Sequence, residues 1–297
     1  MDNNMENERK YIDPTTDYGF KRIFGTEASE ELLISLLNEL FRGQKNIKSL
    51  TYGNPESLGD TDELGTVVFD LVCTGDNGEK FIVEMQTTSQ ANLKNRMRYY
   101  AARGVVGQGK MGQMKRWKYD VKEVYLILLM DGFTMPGPDY GPDCINEVCL
   151  FHKKSKKPFD EGFGYIYVEL DKFAKNEKEL EDNLDRWLYV LKNMSKMDKI
   201  PTYLRKTIFE KVFQIAEYAK LNEGEREMYN TSLLRKINLE EALETAREDG
   251  IREEREKAKR EKKADQLRFA INFKKSGIPL EDISKNLGLS LEEVRGL

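Results

Sequence analysis

The chain has 297 residues, three cysteines, a single histidine and a net charge of −4, with 34% of its residues charged. That length supports one sizeable α/β domain with extensions, which folds without a disulfide or metal staple. The charge balance excludes a molecule that is basic overall, so nucleic-acid binding would fall to local patches.

His152, the lone histidine, excludes Ser-His-Asp triads, multi-histidine zinc sites and paired-histidine acid/base chemistry. Chemistry therefore rests on carboxylates, Lys, Arg, Tyr or a hard metal. Cys73, Cys144 and Cys149 form no CxxC pair, and Cys73 falls in an apolar run that suits a small buried thiol. Residues 1–10 are polar and unlike a signal peptide, and no apolar stretch reaches the ~18 residues of a membrane span. The expected compartment is the cytoplasm, with no membrane attachment.

In chain order, the spacing of Leu33, Leu36, Leu37, Leu40 and Phe41 predicts a helix over 27–41, with Gly43 just beyond its end. A weak strand over 47–52 and a Gly/Pro/Asp loop over 53–63 precede two strong strands, 66–74 and 80–87, joined at Gly75-Asp76-Asn77-Gly78. A helix over 91–108 follows, then EVYLILLM (123–130), the apolar run of a strand buried on both faces. Further strands are expected at 147–152 and 164–170, and helices at 177–193, 202–222 and 225–246. From 240 to 265 acids and bases nearly balance, and Glu248/Arg252, Glu253/Lys257 and Glu256/Arg260 sit four apart, which reads as a solvated helical spacer rather than a coiled coil. Residues 267–297 suggest a small helix-turn-helix, broken at Gly277-Ile278-Pro279 and Gly288 and capped by Ser290 with Glu293. Glu292 and Glu293 stand where base contacts would be made, so a packing or partner-binding tail fits better than DNA readout.

Each of the two strong strands carries one acid, Asp70 in VVFDLVC and Glu84 in FIVEMQ. If Asp76-Asn77-Gly78 forms a three-residue loop closed by a left-handed Gly78, Asp70 lies opposite Glu84 on one sheet face. A two-residue Asn77-Gly78 turn would instead place them on opposite faces. Two carboxylates in an apolar sheet repel and are costly to desolvate, which implies a shared cation or proton. Mg²⁺ fits, since one or two carboxylates plus substrate phosphates commonly hold it, and Mn²⁺ is an alternative. Acids at solvated strand ends, bonded to local donors, are the plainer reading.

The stretch DLVCTGDNGEKFIVEMQ (70–86) resembles the acidic core of the PD-(D/E)XK nuclease family transposases, or recombination-promoting nucleases. DYGFKRIFG (17–25), NRMRYY (95–100) and VYLIL (124–128) agree with that family in the same order, so the resemblance spans about residues 11–245. It implies an α/β fold with an αβββαβ core and a mixed sheet flanked by helices. It also implies metal-dependent DNA endonuclease activity, with DNA as partner and an association with recombination or transposition. On this resemblance Asp70 and Glu84 are the motif acids that hold metal, and Gln86 takes the place of the signature lysine. An amide orients water but supplies no positive charge, so Lys94 or Arg96 would have to compensate.

The implied organisation is a polar tail (1–10), a nuclease-like domain (11–200), a helical extension (201–246), a charged spacer (247–265) and a small helical tail (266–297). Asp17 either completes the metal shell or caps a helix beginning near Tyr18; Glu39 is a third acid or part of a solvated helix face. Arg96 and Tyr100 share a helix face, either clamping a phosphate or simply packing. Lys115, Arg116 and Lys118 around Trp117, and the group Lys153, Lys154, Lys156 and Lys157, either track a DNA backbone or are solvated. The rival function is a nuclease-like module that binds DNA or protein without cutting, and association with a second copy stays open.

Overall fold

A computed structural model describes residues 9–54, 68–109, 118–138, 140–205 and 207–297. The chain divides into two compact units, Met1–Ile237 and Asn238–Leu297. Among the described residues no helix is long and apolar enough to cross a membrane.

The first unit opens with α1 (Asp17–Phe24) and α2 (Glu30–Leu40), followed by β1 (Leu50–Tyr52), β2 (Leu71–Gly75), β3 (Lys80–Gln86), α3 (Leu93–Val106) and β4 (Val124–Met130). The order from α2 to β4 is αβββαβ. Then come β5 (Ile145–Phe151), β6 (Pro158–Glu169), α4 (Asn183–Asn193), α5 (Ile208–Ala216) and the start of α6 (Glu223–Lys275). The six strands lie in the order β1-β2-β3-β4-β6-β5. β1, β2 and β3 pair antiparallel, β3, β4 and β6 run parallel, and β5 returns antiparallel along the edge.

β4 sits at the centre, buried at all seven positions, as its unbroken apolar run requires. One sheet face, with Phe81, Val83, Met85, Ile127 and Leu129, packs with α1, α2, α4 and α5 in the larger core. The other, with Val72, Ile82, Leu126 and Leu128, is covered by Leu93, Met97 and Ala101 of α3. This is a mixed α/β sheet flanked by helices, with a helical C-terminal region.

Several expected elements differ. The helix expected over 27–41 starts with a 3₁₀ turn, Glu27–Ser29, and becomes α-helical only at Glu30. Likewise 177–193 resolves into a 3₁₀ turn at Glu177–Glu179 and α4, which Asp182 caps by accepting from Asp185 N–H at 2.8 Å. Helix is interrupted across 202–222 because the N-terminal segment pairs there: Ile12 N–H donates to Ala216 O at 2.8 Å and Tyr218 N–H to Lys10 O at 2.9 Å. Conversely, 225–246, the spacer and the start of the tail are one continuous 53-residue helix, α6.

The ion pairs within its charged stretch are Asp249/Arg252, Glu256/Lys259, Lys257/Glu261 and Asp265/Arg268. None is one of the expected pairs, and pairs this exposed contribute roughly 0–1 kcal/mol each. Within the second unit, α7 (Leu280–Leu287) and α8 (Leu291–Arg295) close on α6 through Ala270, Ile283, Leu289 and Val294. Ser290 and Glu293 form the expected capping box.

Candidate active site

The β2–β3 hairpin sets the site. Its register runs from Thr74↔Lys80 to Leu71↔Val83. Gly75 N–H donates to Glu79 O at 2.9 Å and Gly78 N–H to Gly75 O at 3.0 Å, closing a loop of Asp76, Asn77 and Gly78. Gly78 has φ +91°, where a side chain would be strained. One further step in this register brings Asp70 beside Glu84.

There the two acids replace the backbone ladder. Asp70 N–H donates to Glu84 Oε1 at 3.1 Å, and Met85 N–H donates to Asp70 Oδ2 at 2.9 Å. Each carboxylate thus commits one oxygen to a main-chain donor. The other oxygen faces a cation at ion-pair distance: Asp70 Oδ1 lies 3.5 Å from Lys21 Nζ, and Glu84 Oε2 lies 3.6 Å from an Arg96 Nη.

Burial dominates the electrostatics. Glu84 is 2% exposed, and desolvation together with the Asp70 charge pushes its carboxyl up to about 8. Desolvation also raises Asp70, against the lowering effects of the Met85 N–H and Lys21. Among the described residues, the cations acting on the pair are Lys21 and Arg96.

Lys21 belongs to α1, and the DYGFKRIFG segment explains its placement. Phe20, Ile23 and Phe24 are fully buried, fixing the helix face. A Cβ on Gly19 would fall 2.0 Å from Asp13 O, so only glycine allows this approach of α1 to the preceding turn. Arg22 pairs with Glu225, and Tyr52 Oη donates to Phe24 O at 2.6 Å. Lys21, in the last turn, then reaches both Asp17, at 2.6 Å, and Asp70. Thr16, not Asp17, caps the helix, by accepting from Gly19 N–H at 3.1 Å; Asp17 is the first helical residue and holds Lys21.

From α3, Arg96 donates to Gln90 Oε1 at 2.7 Å and lies 5.3 Å from the Tyr100 ring centroid. Tyr100 packs edge-on against Phe69 at 4.8 Å, and burial raises its hydroxyl. Asp70, Glu84, Lys21, Asp17, Arg96 and Tyr100 thus come together. Gln86 lies two residues beyond Glu84, on the same sheet face and half-buried.

Lys94 is placed elsewhere, donating to Tyr140 Oη at 2.9 Å. Glu39 lines a separate cleft with Arg42, Lys175 and Asp185. Lys115, Arg116 and Trp117 lie outside the described residues. The residue that sequence reasoning missed is Lys21; its only signal was the i,i+4 spacing to Asp17 inside the N-terminal motif.

The donor set fits a divalent cation in the open manner of Mg²⁺: two carboxylates, each with one oxygen free of main-chain donors, and a buried pair whose repulsion a cation would relieve. Among the described residues no group of three or more His, Cys, Asp or Glu side chains forms an all-protein cage. A cleft of about 340 Å³, lined in part by Lys21, Tyr52, Asn54, Phe69 and Asp70, opens beside the pair.

A mixed sheet with helices on both faces and the order αβββαβ is the PD-(D/E)XK-like architecture. The chain belongs to that family: residues 14–246 match the PD-(D/E)XK nuclease family transposases. No curated protein and no solved structure matches it.

Proposed function

We propose that this chain is a metal-dependent DNA endonuclease that hydrolyses phosphodiester bonds and acts in recombination or transposition. The observation that carries the reading is the juxtaposition of Asp70 and Glu84 across one hairpin, each with a carboxylate oxygen free of main-chain donors. Asp70 and Glu84 would hold Mg²⁺, or Mn²⁺, which would supply charge neutralisation at the scissile phosphate and Lewis acidity toward the attacking water.

The chain's own residues do the rest. Gln86, on the Glu84 face, offers an amide to orient water. Lys21 restores the positive charge that glutamine lacks, from a different element, while Asp17 holds its ammonium in place. Arg96 orients Glu84 and presents a guanidinium toward phosphate, backed by Tyr100.

A second reading, a nuclease-like module that binds without cutting, is favoured by Gln86. One assay separates the two. Supercoiled plasmid is incubated with the purified chain in Mg²⁺, Mn²⁺ or chelator, beside Asp70→Ala. Metal-dependent nicking that disappears in the variant is expected; equal background in both would leave only the binding module.

A further inference from the structure

We infer that the β5–β6 hairpin is a DNA arm that grips duplex phosphates away from the acid pair; this rests on the nuclease reading above and adds a second point of contact. β6 begins at Pro158, but its pairing with β4 starts only at Phe163, so the end of the hairpin projects beyond the central strand. From Phe151 to Phe159 the tip reads FHKKSKKPF, with four lysines and no acid, on a chain of net charge −4. Every residue of the tip is exposed, and among the described residues none of the four lysines joins an ion pair.

The tip is also built. His152 N–H donates to Lys157 O and Lys156 N–H to His152 O, each at 2.9 Å, while Ser155 N–H donates to His152 Nδ1 at 3.1 Å. Lys156 sits at φ +57°, where glycine would be cheaper. A lysine thus stands where the turn disfavours a side chain, and the four lysines are carried on a hydrogen-bonded turn. Phe151 and Phe159, 53% and 76% exposed, flank them and leave an uncovered apolar edge beside the lysines, which marks an interaction surface.

Distance sets where along a duplex the tip would fall. Glu84 is level with Leu128 and Tyr167 across the sheet. On β5 the partners of Tyr167 and Pro158 are Asn146 and Phe151, only five residues apart because the pairing shifts register between Cys149 and Phe151, so the tip begins about 17 Å away at ~3.3 Å per residue. One turn of B-DNA is about 34 Å. A duplex running along the strands, with its scissile phosphate at the acid pair, would pass the tip about half a turn away. The arm contributes affinity and register, not chemistry.

The test measures binding, in chelator, of the full chain to a labelled duplex of about three helical turns. The chain carrying Lys153→Glu, Lys154→Glu, Lys156→Glu and Lys157→Glu should bind at least about tenfold more weakly, with the slope of log K against log salt reduced by about 3 to 4. Phe159→Ala should bind more weakly with the slope unchanged. All of these variants should melt with the wild type, the tip being solvent-exposed. Equal affinity and slope for the wild type and the quadruple variant would overturn the arm while leaving plasmid nicking untouched. Tip-dependent binding to anionic vesicles with none to duplex would overturn it too. Tip-dependent duplex binding without any nicking would sustain the arm and sink only the nuclease reading.

Discussion

Lys21 illustrates how a site's charge can come from outside its motif. Its ammonium is shared by Asp17, at 2.6 Å, and Asp70, at 3.5 Å, and it lowers the Asp70 carboxyl that burial raises. Lys21→Met should therefore slow nicking by roughly 10²–10³-fold if the ammonium meets charge that develops on the phosphate. Lys94→Ala, whose ammonium is engaged by Tyr140, should leave the rate unchanged. Comparison of the two initial rates at saturating Mg²⁺ checks this.

Glu84 makes a second expectation at the same scale. Its folded carboxyl is raised from an unfolded value of 4.5 to about 8 by burial and by Asp70. The folded chain holds a proton that the unfolded chain releases, so metal-free stability is full below about pH 4.5, falls as pH rises to 8, and stays low above. Glu84→Gln should then raise the melting temperature in chelator at pH 8 and do little at pH 5; a shift of 1 kcal/mol is about 2–4 °C for a chain of this size. The acids were legible in the sequence because each is a charge inside an apolar strand. Lys21 was not, because a contact between distant segments leaves no local period.

Among the elements, the hairpin was readable and several helices were not, for reasons visible in particular residues. Gly78 selects the three-residue loop and so decides which face Asp70 takes. In contrast, 202–222 keeps helical spacing but is interrupted, because from far up the chain Ile12 N–H donates to Ala216 O and Lys10 O accepts from Tyr218 N–H. α6 runs unbroken through composition changes that had suggested three pieces, since no proline lies between Glu223 and Lys275, where the helix ends two residues short of Gly277 at φ +78°. The N-terminal part of α6 is anchored from outside by a buried clasp: Lys236 Nζ lies 2.7 Å from Asp131 Oδ2 and 3.1 Å from Asp13 Oδ2. Tyr229 Oη accepts the Asp13 N–H at 3.0 Å. Lys236→Met would leave two largely buried acids facing each other, at a cost of about 3–5 kcal/mol. Urea denaturation should show the midpoint falling with an unchanged m-value.

For the whole molecule, every residue assigned to the candidate site precedes Ile237, and the small core of Ala270, Ile283, Leu289 and Val294 closes within the second unit. The two units should therefore be separable, but the place of the cut matters. Ending the chain at Ile237 leaves Lys236 in a terminal turn, which frays, and the Asp13–Lys236–Asp131 clasp loosens with it. Ending it at Gly250 keeps more than three helical turns beyond the clasp, at 3.6 residues per turn. The longer truncated chain should melt with the full-length protein and nick plasmid at its rate. The shorter should melt lower by several degrees, with the difference removed in Lys236→Met, where no clasp remains to loosen. Equal melting of the two truncated chains would show that Lys236 anchors nothing. Loss of nicking in the longer one, with its melting unchanged, would place part of the active machinery beyond Gly250.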